Sequence, residues 1–309
     1  MNILFYCTFP NQKIWIQSIK QKFKREKVHT IKDNINFQDI DIAIVWNLPN
    51  KILSQLTNLK IIFSLGAGVD HILNLPGYKG TPIVRIKDPN MATRMSNHVL
   101  SQILYYQLKL TLFQKAQQSK KWLEEKETLL NNEIKVGILG TGFLGTFIGK
   151  YLQQLNYKVI GFKNSPAKSK ISFPIYTKRK INNFIKECDI IVSILPSTFK
   201  TNNFINHSFL KKMKKNSLLI NVGRGTSINE EHLIKHLKFN KNFYVSLDVF
   251  KKEPLSKNHK FWNHPNVTVT PHIAAITDID SSINLMHKRF VSYKKTGKIK
   301  SDVDSKKGY

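Results

Sequence analysis

Lys135-Val136-Gly137-Ile138-Leu139-Gly140-Thr141-Gly142-Phe143-Leu144-Gly145 is the stretch that decides the fold. An apolar run of strand type leads into three glycines spaced G-x-G-x-x-G, and a helical pattern follows as far as Leu155. That spacing alone is a weak signal. Between a strand and a helix it is a strong one, because each glycine has a separate task. Gly140 makes the tight turn, Gly142 lets backbone approach a pyrophosphate, and Gly145 permits close packing of helix on strand. The N–H groups of Phe143 and Leu144 then face phosphate at a helix N-terminus, with Thr141 completing the loop.

Working outward, short β-like runs alternate with segments of helix length on both sides of this loop. Residues 2–7, 41–46, 60–65 and 83–86 read as strands of a first series. Residues 134–139, 158–162, 189–195, 217–222, 244–247 and 267–270 read as strands of a second. Such alternation predicts an α/β protein with parallel sheets covered by helices on both faces. Between the two series, residues 96–130 read as one long helical stretch, with Leu100, Ile103, Leu104, Leu108 and Leu112 near one face as a packed stripe. A last helix is expected over 278–295. Because the cofactor fold starts mid-chain, an interrupted arrangement is expected. A dinucleotide-binding Rossmann domain, 98–278, is inserted into a flavodoxin-like substrate domain made of 1–97 and 279–309, both doubly wound parallel sheets.

The 309-residue length suits two domains of ~150 residues. With 41% hydrophobic residues and 11% aromatics the chain can fill two cores. No run approaches the ~18 apolar residues of a membrane span. The opening Met1-Asn2-Ile3-Leu4-Phe5-Tyr6-Cys7 has neither a basic start nor a small-residue cleavage site, so a first strand is expected there rather than a signal peptide. Two cysteines, Cys7 and Cys188, make no disulfide framework. A reduced, cytoplasmic protein is the expectation. The net charge of +29 comes from lysines spread along the whole chain, without zinc-finger or basic-zipper spacing, so no specific nucleic-acid partner is expected. Such a field would still draw in anionic substrates and cofactors.

The second strand of the cofactor fold ends at Gly161-Phe162-Lys163-Asn164-Ser165, near the ~20-residue offset at which an NAD site carries a ribose-binding acid. Here there is none: no Asp or Glu occurs between Glu133 and Glu187, and Lys163, Lys168, Lys170, Lys178, Arg179 and Lys180 crowd the segment. An acid would bond the 2′-hydroxyl and repel a 2′-phosphate. The Lys163-Asn164-Ser165 turn offers one charge-assisted contact and two neutral donors instead. NADPH is therefore expected over NADH.

Three residues in the second half form a candidate catalytic trio. Arg224 follows an apolar strand and is bracketed by Gly223 and Gly225, which are read as freeing the backbone to aim one guanidinium into the crevice at the strand's carboxyl end. A planar fork suits the carboxylate and adjacent carbonyl of a 2-keto acid. His272 follows Pro271 and precedes two alanines, and an imidazole is suited to giving a proton to a carbonyl oxygen near neutrality. Glu253, in Leu247-Asp248-Val249-Phe250-Lys251-Lys252-Glu253-Pro254, is the expected partner of its other ring nitrogen, fixing the tautomer and favouring the imidazolium. His232 and His236, four apart on a helix, have metal-ligand spacing but no third ligand nearby, so a solvated face is the reading.

By these residues the chain resembles the D-2-hydroxyacid dehydrogenase family, and within it the glyoxylate/hydroxypyruvate reductase A branch. The likeness runs from about Ile42 to Thr277. It passes through Val45-Trp46, Leu65-Gly66-Ala67-Gly68-Val69-Asp70, the glycine loop, Leu195-Pro196-Ser197-Thr198, and Pro271-His272-Ile273-Ala274-Ala275-Ile276-Thr277. The resemblance implies that Arg224 binds substrate, that His272 is the acid/base and Glu253 its partner. It also implies that N–H groups of Ala67 and Gly68 hold the substrate carboxylate, that Trp46 lines the pocket, and that Asp248 receives the nicotinamide carboxamide. Leu195, Pro196 and Val222 fall among the cofactor-binding positions. Family members are usually homodimers whose domains close over a cleft. One departure is Asn97, where the family often has Glu. The function expected is NADPH-dependent reduction of a small anionic 2-keto acid, glyoxylate or hydroxypyruvate. The alternatives are a reductase for a bulkier 2-keto acid and a dinucleotide-sensing, corepressor-like binding protein.

Overall fold

The computed structural model describes residues 1–124, 127–164, 171–305 and 307–309. It divides into two compact units, one of Met1–Met91 with Thr277–Tyr309 and the other Ala92–Ile276.

The first unit holds a five-stranded parallel sheet: β1 (Asn2–Tyr6), β2 (Lys27–Thr30), β3 (Ile42–Val45), β4 (Ile61–Ser64) and β5 (Ile83–Arg85), in the order β2-β1-β3-β4-β5. The central strands β3 and β4 are buried along their whole length, as expected of parallel strands covered on both faces. β2 was not expected from the sequence. It is an edge strand, Lys-Val-His-Thr, with no fully buried residue, so it lacks the apolar run that marks its neighbours. The chain returns to this unit in the helix Ile279–Thr296, which begins at Asp278, whose carboxylate accepts from Ser281 N–H at 2.9 Å, and ends on left-handed Gly297. Phe290 of that helix packs 5.2 Å from Phe23, ring centre to ring centre.

The second unit holds seven parallel strands: β6 (Lys135–Leu139), β7 (Lys158–Phe162), β8 (Ile175–Tyr176), β9 (Ile190–Ser193), β10 (Ser217–Asn221), β11 (Phe243–Leu247) and β12 (Val267–Val269). Their order, β12-β11-β10-β9-β6-β7-β8, reverses direction between β6 and β9. Alternate residues enter different cores. Leu139, Ile191 and Leu219 join the cluster on one face, and Val136, Ile138, Ile190, Val192, Leu218 and Ile220 the cluster on the other. β8, two residues long and partly exposed, escaped the sequence reading.

The long helical stretch expected over 96–130 is not continuous. The helix Pro89–Gln107 ends and Leu110–Gln118 begins across Lys109, which takes φ +55°. Ile103 is buried as expected, but Leu108 in the break and Leu112 beyond it are 41% and 39% exposed. Among the described residues no helix is long and apolar enough to cross a membrane.

Candidate active site

The glycine loop sits at the carboxyl end of β6, on one side of the point where strand order reverses, and Leu195 leaves β9 on the other. This is the position at which open α/β sheets bind ligands. Gly140 takes φ +108°, and a Cβ there would stand 2.9 Å from Ile194 O, so only glycine lets the two loops meet. At Gly145 a Cβ would lie 2.0 Å from Gly140 O, which fixes the helix Phe143–Gln154 hard against the turn. Gly142, the residue before that helix, has no atom within 4 Å of where a Cβ would be. Backbone there is open to a ligand, and the first N–H groups of the helix lack intrahelical partners. The hydroxyl of Thr141 is buried without a hydrogen-bond partner among the described residues. An exposed glycine, free helix-end donors and an orphaned hydroxyl together fit a dinucleotide pyrophosphate.

Lys163 follows β7, its N–H bonded to Tyr176 O at 3.0 Å, and Asn164 is exposed beside it. Ser165, Lys168 and Lys170 lie outside the described residues. Leu195 and Val222 are buried at the ends of β9 and β10, and Pro196 O accepts from Thr201 Oγ1 at 2.5 Å. Thr201 also bonds Thr198 Oγ1 at 2.8 Å, and Thr226 Oγ1 donates to Ser197 Oγ at 2.9 Å. These hydroxyls shape the loop after β9; Ser197 and Thr198 belong to the Leu195-Pro196-Ser197-Thr198 motif, whereas Thr201 and Thr226 carry no sequence signal.

The trio comes from three consecutive strand exits. His272 Nδ1 and Glu253 Oε2 are 2.8 Å apart, with the two side chains 44% and 36% exposed. Glu253 Oε1 accepts from Phe250 N–H at 2.9 Å. Burial pushes the Glu253 carboxyl up. The hydrogen bonds from His272 and Phe250, with the positive charges of His272 and Arg224, more than offset this and hold it below the usual carboxylate range. With Nδ1 engaged by a carboxylate, the tautomer that carries its proton on Nδ1 is favoured. His272 adopts φ +55°, rare for a side-chain-bearing residue, held by its N–H bonds to Asp248 O at 2.8 Å and Thr270 O at 3.1 Å.

The glycine bracket around Arg224 works differently from the sequence reading. Neither glycine takes a left-handed φ. Each permits close contact instead: a Cβ on Gly223 would lie 2.6 Å from Leu195 O, and one on Gly225 would lie 1.8 Å from Phe250 C. The bracket therefore presses the Arg224 loop against the loops that carry Leu195 and Glu253. Arg224 Nη1 donates to Gly223 O at 2.9 Å, and Ser227 Oγ and Asn221 Nδ2 both donate to Arg224 O.

Asp248 is almost completely buried. Its Oδ1 accepts from Thr270 Oγ1 at 2.6 Å and Ile273 N–H at 2.9 Å, and its Oδ2 accepts from Ala274 N–H at 2.9 Å. Three of its roughly four acceptor positions are thus used to brace the His272 segment. In the first unit, Trp46 is partly buried between Phe9 and His71, with ring centres at 5.6 Å and 4.2 Å. Ala67 and Gly68 follow β4, where Thr277 Oγ1 donates to Leu65 O at 3.1 Å. His232 and His236 have local structural partners: His232 Nδ1 accepts from His207 N–H, and His236 packs edge-on against Phe243.

A family model, D-isomer specific 2-hydroxyacid dehydrogenase, NAD binding domain, matches residues 100–274. The chain belongs to the D-isomer specific 2-hydroxyacid dehydrogenase family. Glyoxylate/hydroxypyruvate reductase A of Yersinia enterocolitica is 32% identical to this family member over 283 residues, 90% of each chain. The protein of that name from Photorhabdus laumondii is 31% identical over 317 residues, spanning 100% of both. Among solved structures, the NADPH-dependent glyoxylate/hydroxypyruvate reductase of Sinorhizobium meliloti in complex with NADP and sulfate superposes with a TM-score of 0.92. It is 30% identical and covers 100% of this chain and 99% of that one. A D-isomer specific 2-hydroxyacid dehydrogenase from Xanthobacter autotrophicus, in complex with NADPH and MES, gives a TM-score of 0.92 at 26% identity, with the same coverage. The family read from the motifs is the family the chain belongs to, and this dehydrogenase is an oxidoreductase with an NAD-binding domain.

Proposed function

We propose that this dehydrogenase reduces glyoxylate or hydroxypyruvate to the 2-hydroxy acid, with NADPH as reductant. The observation that carries the reading is the pairing of His272 Nδ1 with Glu253 Oε2 at 2.8 Å, which fixes the tautomer a general acid needs. Bound NADPH supplies the hydride that the protein itself lacks. Gly140, Thr141, Gly142, Phe143, Leu144 and Gly145 would hold its pyrophosphate. Lys163, Asn164 and Ser165 would take its 2′-phosphate, and Leu195, Pro196, Val222 and Asp248 would flank the rest. The non-acidic end of β7 supports NADPH, as does the NADPH dependence of the Sinorhizobium relative.

In the reaction the keto carbon is reduced and negative charge builds on its oxygen. His272 Nε2 gives that oxygen a proton, leaving a neutral imidazole with its Nδ1 proton still on the Glu253 side. Arg224 binds the substrate and stabilises the developing charge. By the family resemblance, the Ala67 and Gly68 N–H groups would take the carboxylate and Trp46 would line the substrate pocket. Asp248 keeps one acceptor position for the carboxamide while bracing the His272 segment.

We further infer a cytoplasmic homodimer with no specific nucleic-acid partner. Leu108, Leu110, Leu112, Trp122, Leu129 and Leu130 are exposed between 108 and 130, Trp122 by 92%, and offer apolar surface to a second copy. Sedimentation of a monomer at micromolar concentration would overturn the dimer.

The decisive experiment is a panel of 2-keto acids of increasing size, followed by NADPH absorbance and repeated with NADH. Turnover of glyoxylate or hydroxypyruvate with a higher kcat/KM for NADPH is expected. Preference for a bulky keto acid would replace the substrate assignment, and preference for NADH would refute the cofactor assignment. No turnover of any member would favour a sensor of the bound dinucleotide.

A further inference from the structure

β4 ends at Ser64, and the turn that follows carries the Ala67 and Gly68 N–H groups assigned to the substrate carboxylate. A side-chain relay shapes this turn. His71 Nδ1 accepts from Asn47 N–H at 3.3 Å, so the proton of a neutral ring sits on Nε2. Nε2 lies 3.2 Å from Ser64 Oγ, to which a ring in that tautomer donates. The Ser64 side chain is fully buried, and its hydroxyl has Gly68 O at 3.2 Å and Gly66 O at 3.3 Å to donate to, while Gly66 N–H points back at it from 3.4 Å. The same imidazole lies 4.2 Å from Trp46, ring centre to ring centre. Trp46 is so close to the turn that a Cβ on Gly66 would stand 2.5 Å from its ring. Asn47, the residue bonded to Nδ1, sits at φ +55°, a conformation that its own bond to the ring helps to hold.

We propose that His71 is a positioning residue for the 2-keto acid. Through Ser64 it fixes the 66–68 turn, so that the Ala67 and Gly68 N–H groups stay converged on a carboxylate, and through ring contact it holds Trp46 beside that turn. The proposal rests on the reductase reading, and it adds a reason for the turn's shape in the free protein. A donor pair arranged before binding spends no affinity on ordering the loop, and a loosened one does. A histidine that merely fills the core would contribute its ring volume and nothing through its nitrogens.

That difference sets the test. His71→Phe keeps an aromatic ring against Trp46 and removes both nitrogens, while His71→Gln restores an amide donor toward Ser64. In His71→Phe the amides of 66–69 in ligand-free protein should exchange hydrogen about tenfold faster, and KM for glyoxylate should rise about tenfold. Its kcat should change by less than about threefold and KM for NADPH should not change. His71→Gln should recover most of both effects. Adding Ser64→Ala to His71→Phe should add little, because the two act as one relay. Unchanged exchange in His71→Phe overturns the proposal whether or not the protein reduces keto acids. Faster exchange with an unchanged glyoxylate KM overturns the link from turn to substrate. A wild-type protein inert toward every 2-keto acid sinks the reductase reading, and this proposal with it, before any variant is made.

Discussion

Gly225→Ala puts a single methyl group between two loops of the trio. The added Cβ would stand 1.8 Å from Phe250 C, 2.1 Å from its O and 2.4 Å from Lys251 N, whereas such contacts essentially never fall below 3.0 Å. The obstacles are backbone atoms, so no side-chain rotation relieves the clash. The Arg224 loop and the 248–253 loop must part by about 1 Å, a misplacement that costs on the order of 100-fold in rate at a reacting centre. Overpacking of this kind destabilises by about 1–3 kcal/mol, and contact with backbone places it at the upper end. For a unit of this size that lowers Tm by roughly 6–12 °C. The assay is kcat/KM for glyoxylate with NADPH, beside thermal unfolding of the same sample. A folded variant whose kcat/KM stays within about threefold of wild type would refute the reasoning, even if its Tm falls, because the packing would then not be what places Arg224.

Three further outcomes follow from the same geometry. Gly142→Ala meets nothing within 4 Å, so the free protein should melt as wild type while its NADPH dissociation constant rises at least about tenfold; a matching loss of Tm would show that the glycine serves the fold instead. Glu253 has its carboxyl held below the ordinary range, so its contribution to stability is present above the unfolded value near 4.5 and is lost as pH falls through the lower, folded value. The Tm gap between wild type and Glu253→Gln should therefore be full at neutral pH and close as pH falls below about 4.5, and a gap independent of pH would count against the ion pair. His272→Ala should lower kcat by about 100-fold or more with NADPH affinity unchanged, and Arg224→Ala should impair both KM and kcat; equal losses of cofactor affinity and activity in His272→Ala would make that histidine structural.

Much of this was legible in the chain because burial on both faces leaves a plain signature. Runs such as Ile-Ala-Ile-Val and Ile-Ile-Val-Ser read as strands of a parallel sheet, and they are, at central positions. β2 and β8 were not legible, since edge strands that bury little need no such run. Nor was the break at Lys109, because lysine carries no preference for the left-handed conformation found there. At the candidate site the sequence named side chains but not their supports. The glycines beside Arg224 were singled out for backbone freedom, yet they matter through contact with Leu195 and Phe250, residues distant in the chain. Asp248 was read as a ligand-facing acid, and its use as a brace depends on three donors that only the folded β11 and β12 exits bring to it. The Ser64–His71 relay likewise joins groups whose polar partnership has no spacing rule.

The left-handed backbone of His272 has a consequence for how this position tolerates change. A residue with a Cβ pays about 1–2 kcal/mol to sit there, while asparagine and glycine are the residues most at ease in that conformation. The side chain that the proposed proton transfer calls for is thus not the one the backbone favours. Under the proposed role, the ease of the backbone and the demand of turnover pull this position in opposite directions, and His272 at φ +55° stands on the side of turnover.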